Sequence, residues 1–139
     1  MGASMQIKLV QTGPVKFMAT NAAGASLVID GPPDMGGENA GLRPMETFLS
    51  ALAACSAVDV IHIMKKQRQN LERLEVDVQG ERADTIPAVF TRIQLRFKGY
   101  GPIDPLKLQK AVELSMEKYC SVSKMLQPTV SVTAEGVLG

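Results

Sequence analysis

The strongest constraint on the fold is an apolar stretch from Arg43 to Gln69, RPMETFLSALAACSAVDVIHIMKKQRQ. No Gly or Pro interrupts it after Pro44, so it predicts a single helix of about 25 residues, roughly 38 Å long. Pro44 suits the first helical position, and Glu46 suits the positive N-terminal end of a helix. A helix that is apolar on almost every face must be covered on almost every face.

This need for cover bears on the oligomeric state. A compact chain of 139 residues has a radius of gyration of about 14 Å, so the helix crosses nearly the whole globule. We therefore expect two subunits to share one core, the alternative being that the chain's own sheet and second helix suffice. We do not expect the helix to span a membrane, because five polar residues interrupt its apolar run from Thr47 to Met64, including Asp59 near its middle, where a charge is costly.

Composition narrows the possible partners and the location. The length favours a single domain over residues 1–139, of which residues 1–4 resemble an added leader before Met5. A net charge of +1 gives no indication of a nucleic-acid partner or of an anionic membrane surface. We recognise no signal peptide, so the cytoplasm is the expected location.

The remaining segments predict an α+β fold with mainly antiparallel sheets. Asp104 and Pro105 mark the start of a second helix as N-cap and first-turn residue. A Gly- and Pro-rich loop, Asp30 to Gly41, precedes the long helix and is long enough to be functional or mobile. The predicted strands, from alternating polarity and flanking turn residues, are 5–11, 15–20, 25–29, 74–80, 90–97 and 129–133, with a short helical segment at 122–126.

Two cysteines are the candidate chemical groups. Cys55 lies in the middle of the long helix, where a thiol is usually a small core side chain and burial would make it inert. Cys120 lies at the start of the short helical segment, where free N–H groups favour a thiolate. Local sequence alone therefore ranks Cys120 as the more activated thiol.

The neighbours of Cys55 on its helix do not complete a catalytic set. Asp59 and His62 share a stripe with Cys55, but His62 lies about 10 Å further along the axis, whereas a thiol and its base need about 3 Å. We expect Asp59 and His62 to be a polar pair in or near an interface. The Cys and His spacing matches no zinc motif, so we expect no metal site.

Residues 43–69, with the later segment YCSVSKML at residues 119–126, resemble the OsmC/Ohr family of osmotically inducible and organic hydroperoxide resistance proteins. The shared pattern is a helix that begins near a Pro, a Glu in its first turn, a mid-helix Cys after small residues, and a second Cys followed by a short segment. The resemblance implies an OsmC-like fold, with antiparallel sheets wrapped around two long central helices in an intertwined homodimer.

The resemblance also implies thiol peroxidase chemistry. Cys55 would attack a small apolar organic hydroperoxide and become a sulfenic acid. Cys120 would condense with it to form a disulfide, and an external dithiol reductant would restore both thiols without any bound cofactor. These roles reverse the ranking from local sequence, and we follow the family because tertiary neighbours can change the environment of Cys55.

The chain differs from the family in the charged pair that stabilises the thiolate of the attacking cysteine, that is, in the groups that poise it. Ohr peroxidases pair an Arg of the N-terminal strands with a Glu of the helix, but Met5 to Gly41 contains no Arg. The expected Glu position is Met45, and Glu46 lies roughly opposite Cys55 on the helix. Glu46 and Arg43 remain candidate thiolate-poising or site-lining residues in what resembles a divergent OsmC-like branch.

Two functions of different class follow. The first is an organic hydroperoxide peroxidase, whose apolar pocket would use Met18, Met45, Phe48 or Met125 where these residues do not serve core packing. The second is a dimeric binding module for an apolar small molecule, with structural or weakly reactive thiols. The retained Cys pair favours the first function, and the missing Arg favours the second.

Overall fold

The computed structural model describes residues 2–139, which form two compact units, one ending at Phe48 and the other spanning Leu49–Gly139. The first unit contains an antiparallel sheet in which the middle strand pairs with both neighbours. The alternation of the sequence predicted these three strands to within about two residues. They are β1 (Ile7–Gln11), β2 (Lys16–Asn21) and β3 (Ser26–Asp30), followed by a 3-10 turn at Pro33–Met35.

The Gly- and Pro-rich loop after β3 is organised around the buried carboxylate of Asp30. Its Oδ2 accepts the main-chain N–H groups of Glu38 at 2.9 Å and Ala40 at 3.2 Å. The Lys16 ammonium lies 2.7 Å from the Glu38 carboxylate and ties the loop to β2. The N–H of Glu38 is the largest cause that lowers the pKa of Asp30, because it stabilises the charged form.

The predicted long helix is confirmed as α1 (Pro44–Lys66), 23 residues long. Glu46 closes the helix start, since its Oε1 accepts the main-chain N–H of Arg43 at 2.8 Å. This is the return half of a capping box, in which the third helical residue satisfies the residue before the helix. Lys65 and Lys66 lie in the last turn, where positive charge is favoured.

The chain covers α1 along one stripe only, over the residues that the structure describes. The buried side chains of α1 repeat every four residues, at Leu52, Ser56, Val60 and Met64. By length and composition the helix could cross a bilayer, a test that the core helix of a soluble protein also passes, and 22% of its apolar window is buried. Val58 remains 66% exposed, so much of the apolar surface of α1 lacks cover from this chain.

The second unit contains a three-stranded sheet formed by β4 (Arg73–Arg82), β5 (Phe90–Tyr100) and β6 (Ser131–Leu138), with β5 in the centre. β4 and β5 pair antiparallel, as predicted, but β5 and β6 run parallel. The parallel pair needs a crossover, and the helical segments between β5 and β6 supply it. The inward side chains of β5 supply much of the core: Phe90, Ile93, Leu95 and Phe97.

The crossover begins with α2 (Pro105–Leu114), where Asp104 accepts the N–H of Leu106 at 2.9 Å as the predicted N-cap. The helix packs so closely on β6 that a Cβ at Gly136 would lie 3.1 Å from Leu108. Its last turn widens into a π turn (Ser115–Tyr119), and α3 (Ser121–Leu126) follows. The sequence did not predict the π turn, which sets where Cys120 lies.

Candidate thiol site

The structure brings the two cysteines together from different elements of the second unit. Cys55 is half-buried on α1, and Cys120 is 1% exposed at the junction of the π turn and α3. Both are free thiols, and their side chains lie close enough to interact with one another. Two groups that can form a disulfide thus lie next to one another.

Cys120 is held at its sulfur and at its main chain. Its Sγ accepts the N–H of Ser123 at 3.4 Å, and its own N–H donates to the carbonyl oxygen of Ser115 at 2.8 Å. Burial is the largest cause that raises the pKa of the Cys120 thiol from 9.0 to about 11, and the contact with Cys55 adds to the rise. Cys120 is therefore a protonated thiol at neutral pH.

This environment corrects the ranking derived from local sequence, in which Cys120 is the more activated thiol. The N–H of Ser123 does reach the Cys120 sulfur and lowers its pKa, as the helix start predicts. The loss of water around a buried thiolate outweighs the main-chain hydrogen bonds from Ser123 and Val122, which lower the pKa. The role of Cys120 as the resolving thiol stays a prediction.

Beside the thiols, two buried serines and an aspartate connect α1 to the π turn. Ser56 and Ser115 are both fully buried, and their Oγ atoms lie 2.9 Å apart. The Ser115 Oγ also lies 3.2 Å from Oδ2 of Asp59 and 3.3 Å from the carbonyl oxygen of Ser56. We call Ser56, Ser115 and Asp59 the serine bridge.

A second set of hydrogen bonds fastens the π turn to α3. The side-chain amide of Gln127 donates to the carbonyl oxygen of Met116 at 2.8 Å and to the Ser123 hydroxyl at 2.9 Å. The Ser123 hydroxyl in turn donates to the Met116 sulfur at 3.6 Å. These hydrogen bonds join residues within the segment that carries Cys120, whereas the serine bridge joins that segment to α1.

The other sequence candidates take different places. Arg43 and Glu46 engage one another at the start of α1, which accounts for Glu46 as a helix-start carboxylate, and their role towards the thiol stays a prediction. Asp59 binds Ser115, and His62 is exposed. The prediction that Met125 packs in the core is wrong, because this residue is 80% exposed. Among residues 2–139 no three potential metal-ligating side chains cluster.

Sequence reasoning missed the serines of the site. Ser56 carries one usable signal, since it is the polar member of the four-residue stripe with Leu52, Val60 and Met64. A polar side chain on a buried helix face needs a partner. Nothing near Ser115 marks it, because its importance arises from the π turn and from α1, which is distant in sequence.

Comparisons with known proteins identify the family and the fold. The OsmC-like protein family matches residues 36–135. Protein YhfA of Escherichia coli K12 is 37% identical over 133 residues, covering 93% of this chain and 94% of that protein.

Solved structures give the same result. A hypothetical protein from Aquifex aeolicus VF5 superposes with a TM-score of 0.83 at 29% identity, covering 99% of both chains. The organic hydroperoxide resistance protein OhrB of Bacillus subtilis superposes with a TM-score of 0.67 at 21% identity, covering 97% of this chain and 98% of that one. The family match and the identity to YhfA show that this chain belongs to the OsmC-like family, and it has the α+β fold of the OsmC/Ohr proteins.

Proposed function

We propose that the protein is a thiol-dependent peroxidase that reduces organic hydroperoxides through Cys55 and Cys120. The observation that carries the proposal is the contact of two free thiols from α1 and from the end of the π turn. Membership of the OsmC-like family supports it, as does the likeness to a structure named for organic hydroperoxide resistance. The family fold alone does not specify a reaction, so the thiol pair is the deciding feature.

The first step consumes the hydroperoxide. The Cys55 thiolate attacks the distal oxygen, the O–O bond breaks, and the alkoxide takes a proton from water to leave as an alcohol. Cys55 is then a sulfenic acid, two electrons more oxidised than the thiol. A half-buried sulfur on an apolar helix suits a small apolar hydroperoxide as the substrate.

The second step closes the disulfide. The Cys120 sulfur gives up its proton and attacks the Cys55 sulfur, so the S–S bond forms as the S–O bond breaks. The hydroxide that leaves combines with the proton as water. An external dithiol then supplies two electrons and two protons to restore both thiols.

The group that poises Cys55 must differ from that of the Ohr peroxidases, because residues 5–41 contain no Arg. Arg43 and Glu46, at the start of α1, remain the candidates for this role.

We further propose that the working unit is a homodimer in the cytoplasm. The apolar side chains of α1 that this chain leaves exposed include Val58 at 66% and Ile61 at 50%. A second copy would supply the cover that such a helix requires. Asp59 in the middle of the helix, hydrogen-bonded to a serine of the same chain, argues against a membrane as the cover.

The decisive experiment follows thiols and hydroperoxide together. Wild-type protein, Cys55→Ser and Cys120→Ser are mixed with one equivalent of cumene hydroperoxide, and the loss of thiols and the protein mass are measured over time. Wild type should lose both thiols and form an intramolecular disulfide. Cys55→Ser should consume no hydroperoxide, and Cys120→Ser should stop at a sulfenic acid that dimedone traps.

A lack of rapid thiol oxidation would point to the second candidate function. If wild-type protein oxidises no faster than free cysteine, the peroxidase proposal is wrong. The remaining candidate is then a dimeric binding module for an apolar small molecule, which the missing Arg favours. Ligand binding by protein with both cysteines replaced by serine would support that second function.

A further inference from the structure

The serine bridge reaches both cysteines through short connections. Ser56 follows Cys55 directly along α1, and its hydroxyl contacts the hydroxyl of Ser115. The carbonyl oxygen of Ser115 accepts the main-chain N–H of Cys120. With the contact between the two thiols, these links form a closed ring from Cys55 through Ser56 and Ser115 to Cys120.

The hydroxyl of Ser115 faces three acceptors, which are the hydroxyl and carbonyl oxygens of Ser56 and Oδ2 of Asp59. A serine hydroxyl carries one hydrogen, and a carboxylate only accepts. All groups are satisfied when Ser56 donates to Ser115 and Ser115 donates to Asp59 at 3.2 Å. The bond to a charged acceptor is the strong member of the chain, since charge-assisted hydrogen bonds exceed neutral ones.

Ser115 is placed so that the serine bridge can influence the position of Cys120. Ser115 is the first residue of the π turn, and Cys120 follows its last residue. Single-turn π segments within helices occur often at functional sites, because they shift the register of the residues that follow. A side-chain anchor at the start of this turn therefore sets where the thiol at its end lies.

We infer that Ser115 is a positioning residue for disulfide formation, which anchors the π turn to Asp59 and Ser56 so that Cys120 can trap the oxidised sulfur of Cys55. This inference rests on the proposed function for its biological setting, and it extends that function from the thiols to the group that aligns them. The inference distinguishes the two steps of the reaction. Attack on the hydroperoxide needs Cys55 alone, whereas disulfide formation needs Cys120 aligned with Cys55.

The test compares the two steps in Ser115→Ala. Resolution should slow by about tenfold or more, because small displacements of reacting groups cost large factors in rate. The Cys55 sulfenic acid should then accumulate, be trapped by dimedone and oxidise further to sulfinic acid at excess hydroperoxide. Attack on the hydroperoxide should change by less than about twofold, since it does not require that alignment. The steps are separated by stopped-flow consumption of hydroperoxide and by mass spectrometry of quenched protein.

Ser123→Ala is the matched control. Ser123 is also fully buried and hydrogen-bonded, but its hydroxyl contacts Met116 and Gln127, not α1. Its main-chain N–H, which contacts the Cys120 sulfur, is kept in alanine. This variant should lose stability like Ser115→Ala yet resolve at close to the wild-type rate.

A second readout makes the inference independent of peroxidase activity. The oxidant diamide converts adjacent thiols to a disulfide without any hydroperoxide, and Ser115→Ala should close the Cys55–Cys120 disulfide more slowly than Ser123→Ala does. If wild type lacks peroxidase activity but this difference persists, the proposed function fails and the positioning role stands. Equal rates in the two variants would overturn the positioning role.

A second variant serves if Ser115→Ala does not fold. Asp59→Asn removes the charged acceptor of the Ser115 hydroxyl and should also slow disulfide closure. An unchanged rate of closure would again contradict the inference.

Discussion

Cys120 donates its main-chain N–H to the carbonyl oxygen of Ser115 at 2.8 Å, across the full π turn. The bond ends that turn with the thiol directed into the protein, against Cys55. The same geometry that aligns Cys120 with Cys55 removes it from water and holds it protonated. Alignment and reactivity are therefore opposed at this residue, and the opposition has a measurable consequence in pH.

The rate of disulfide formation after oxidation of Cys55 should rise steeply with pH. Burial is the largest cause that raises the pKa of Cys120, and it persists when Cys55 is oxidised, so only a small fraction of this thiol is the reactive thiolate at pH 7. The thiolate fraction grows about tenfold with each pH unit below the pKa of Cys120. The measurement is the rate of disulfide appearance after one equivalent of hydroperoxide, from pH 7 to pH 10. A profile that levels off below pH 9 would contradict the buried, protonated state of Cys120.

Replacing Asp30 by Asn should destabilise the loop that precedes α1. The change removes a charge that accepts the N–H groups of Glu38 and Ala40, and hydrogen bonds to charged groups are stronger than those to neutral ones. The pKa of Asp30 is lowered from 3.8, so its contribution to stability is present above pH 3.8 and is lost as the pH falls through the folded-state value.

Denaturant unfolding at pH 7 and at acid pH checks this expectation. Asp30→Asn should unfold at lower denaturant than wild type at pH 7, and the difference should shrink in acid. Asp34→Asn, in the same loop but at an exposed position, is the control and should behave like wild type. Equal stability of the two variants at pH 7 would show that Asp30 does not organise the loop.

Replacing Val58 by Asp should dissociate the proposed dimer. Val58 is 66% exposed on α1, so the change should leave the chain folded but place a charge on the apolar face that a second copy would cover. Light scattering after gel filtration should show a dimer for wild type and a monomer for Val58→Asp. Leu106→Asp, at a 78% exposed position on α2, is the matched control and should remain dimeric. A monomeric wild type would contradict the dimer.

Much of the secondary structure could be predicted because its causes are local. The apolar run and Pro44 predicted α1, Asp104 predicted the start of α2, and alternating polarity predicted β5 nearly from end to end. The β6 strand was predicted too short, at 129–133 instead of Ser131–Leu138, since Gly136 breaks its pattern. A side chain at that position would press against Leu108 and Val112 of α2, a close approach that no local pattern reveals.

The sequence by itself determined the long apolar helix, the two thiols and the family to which they point, because each depends on residue types within a short span. Only the tertiary structure decided the state of Cys120 and the partners of Asp59. Burial depends on what packs around a group, so the desolvation that raises the pKa of Cys120 was invisible in its neighbours along the chain. The bond from Ser115 to Asp59 joins residues 56 positions apart, and the packing of the π turn against α1 alone brings them within reach.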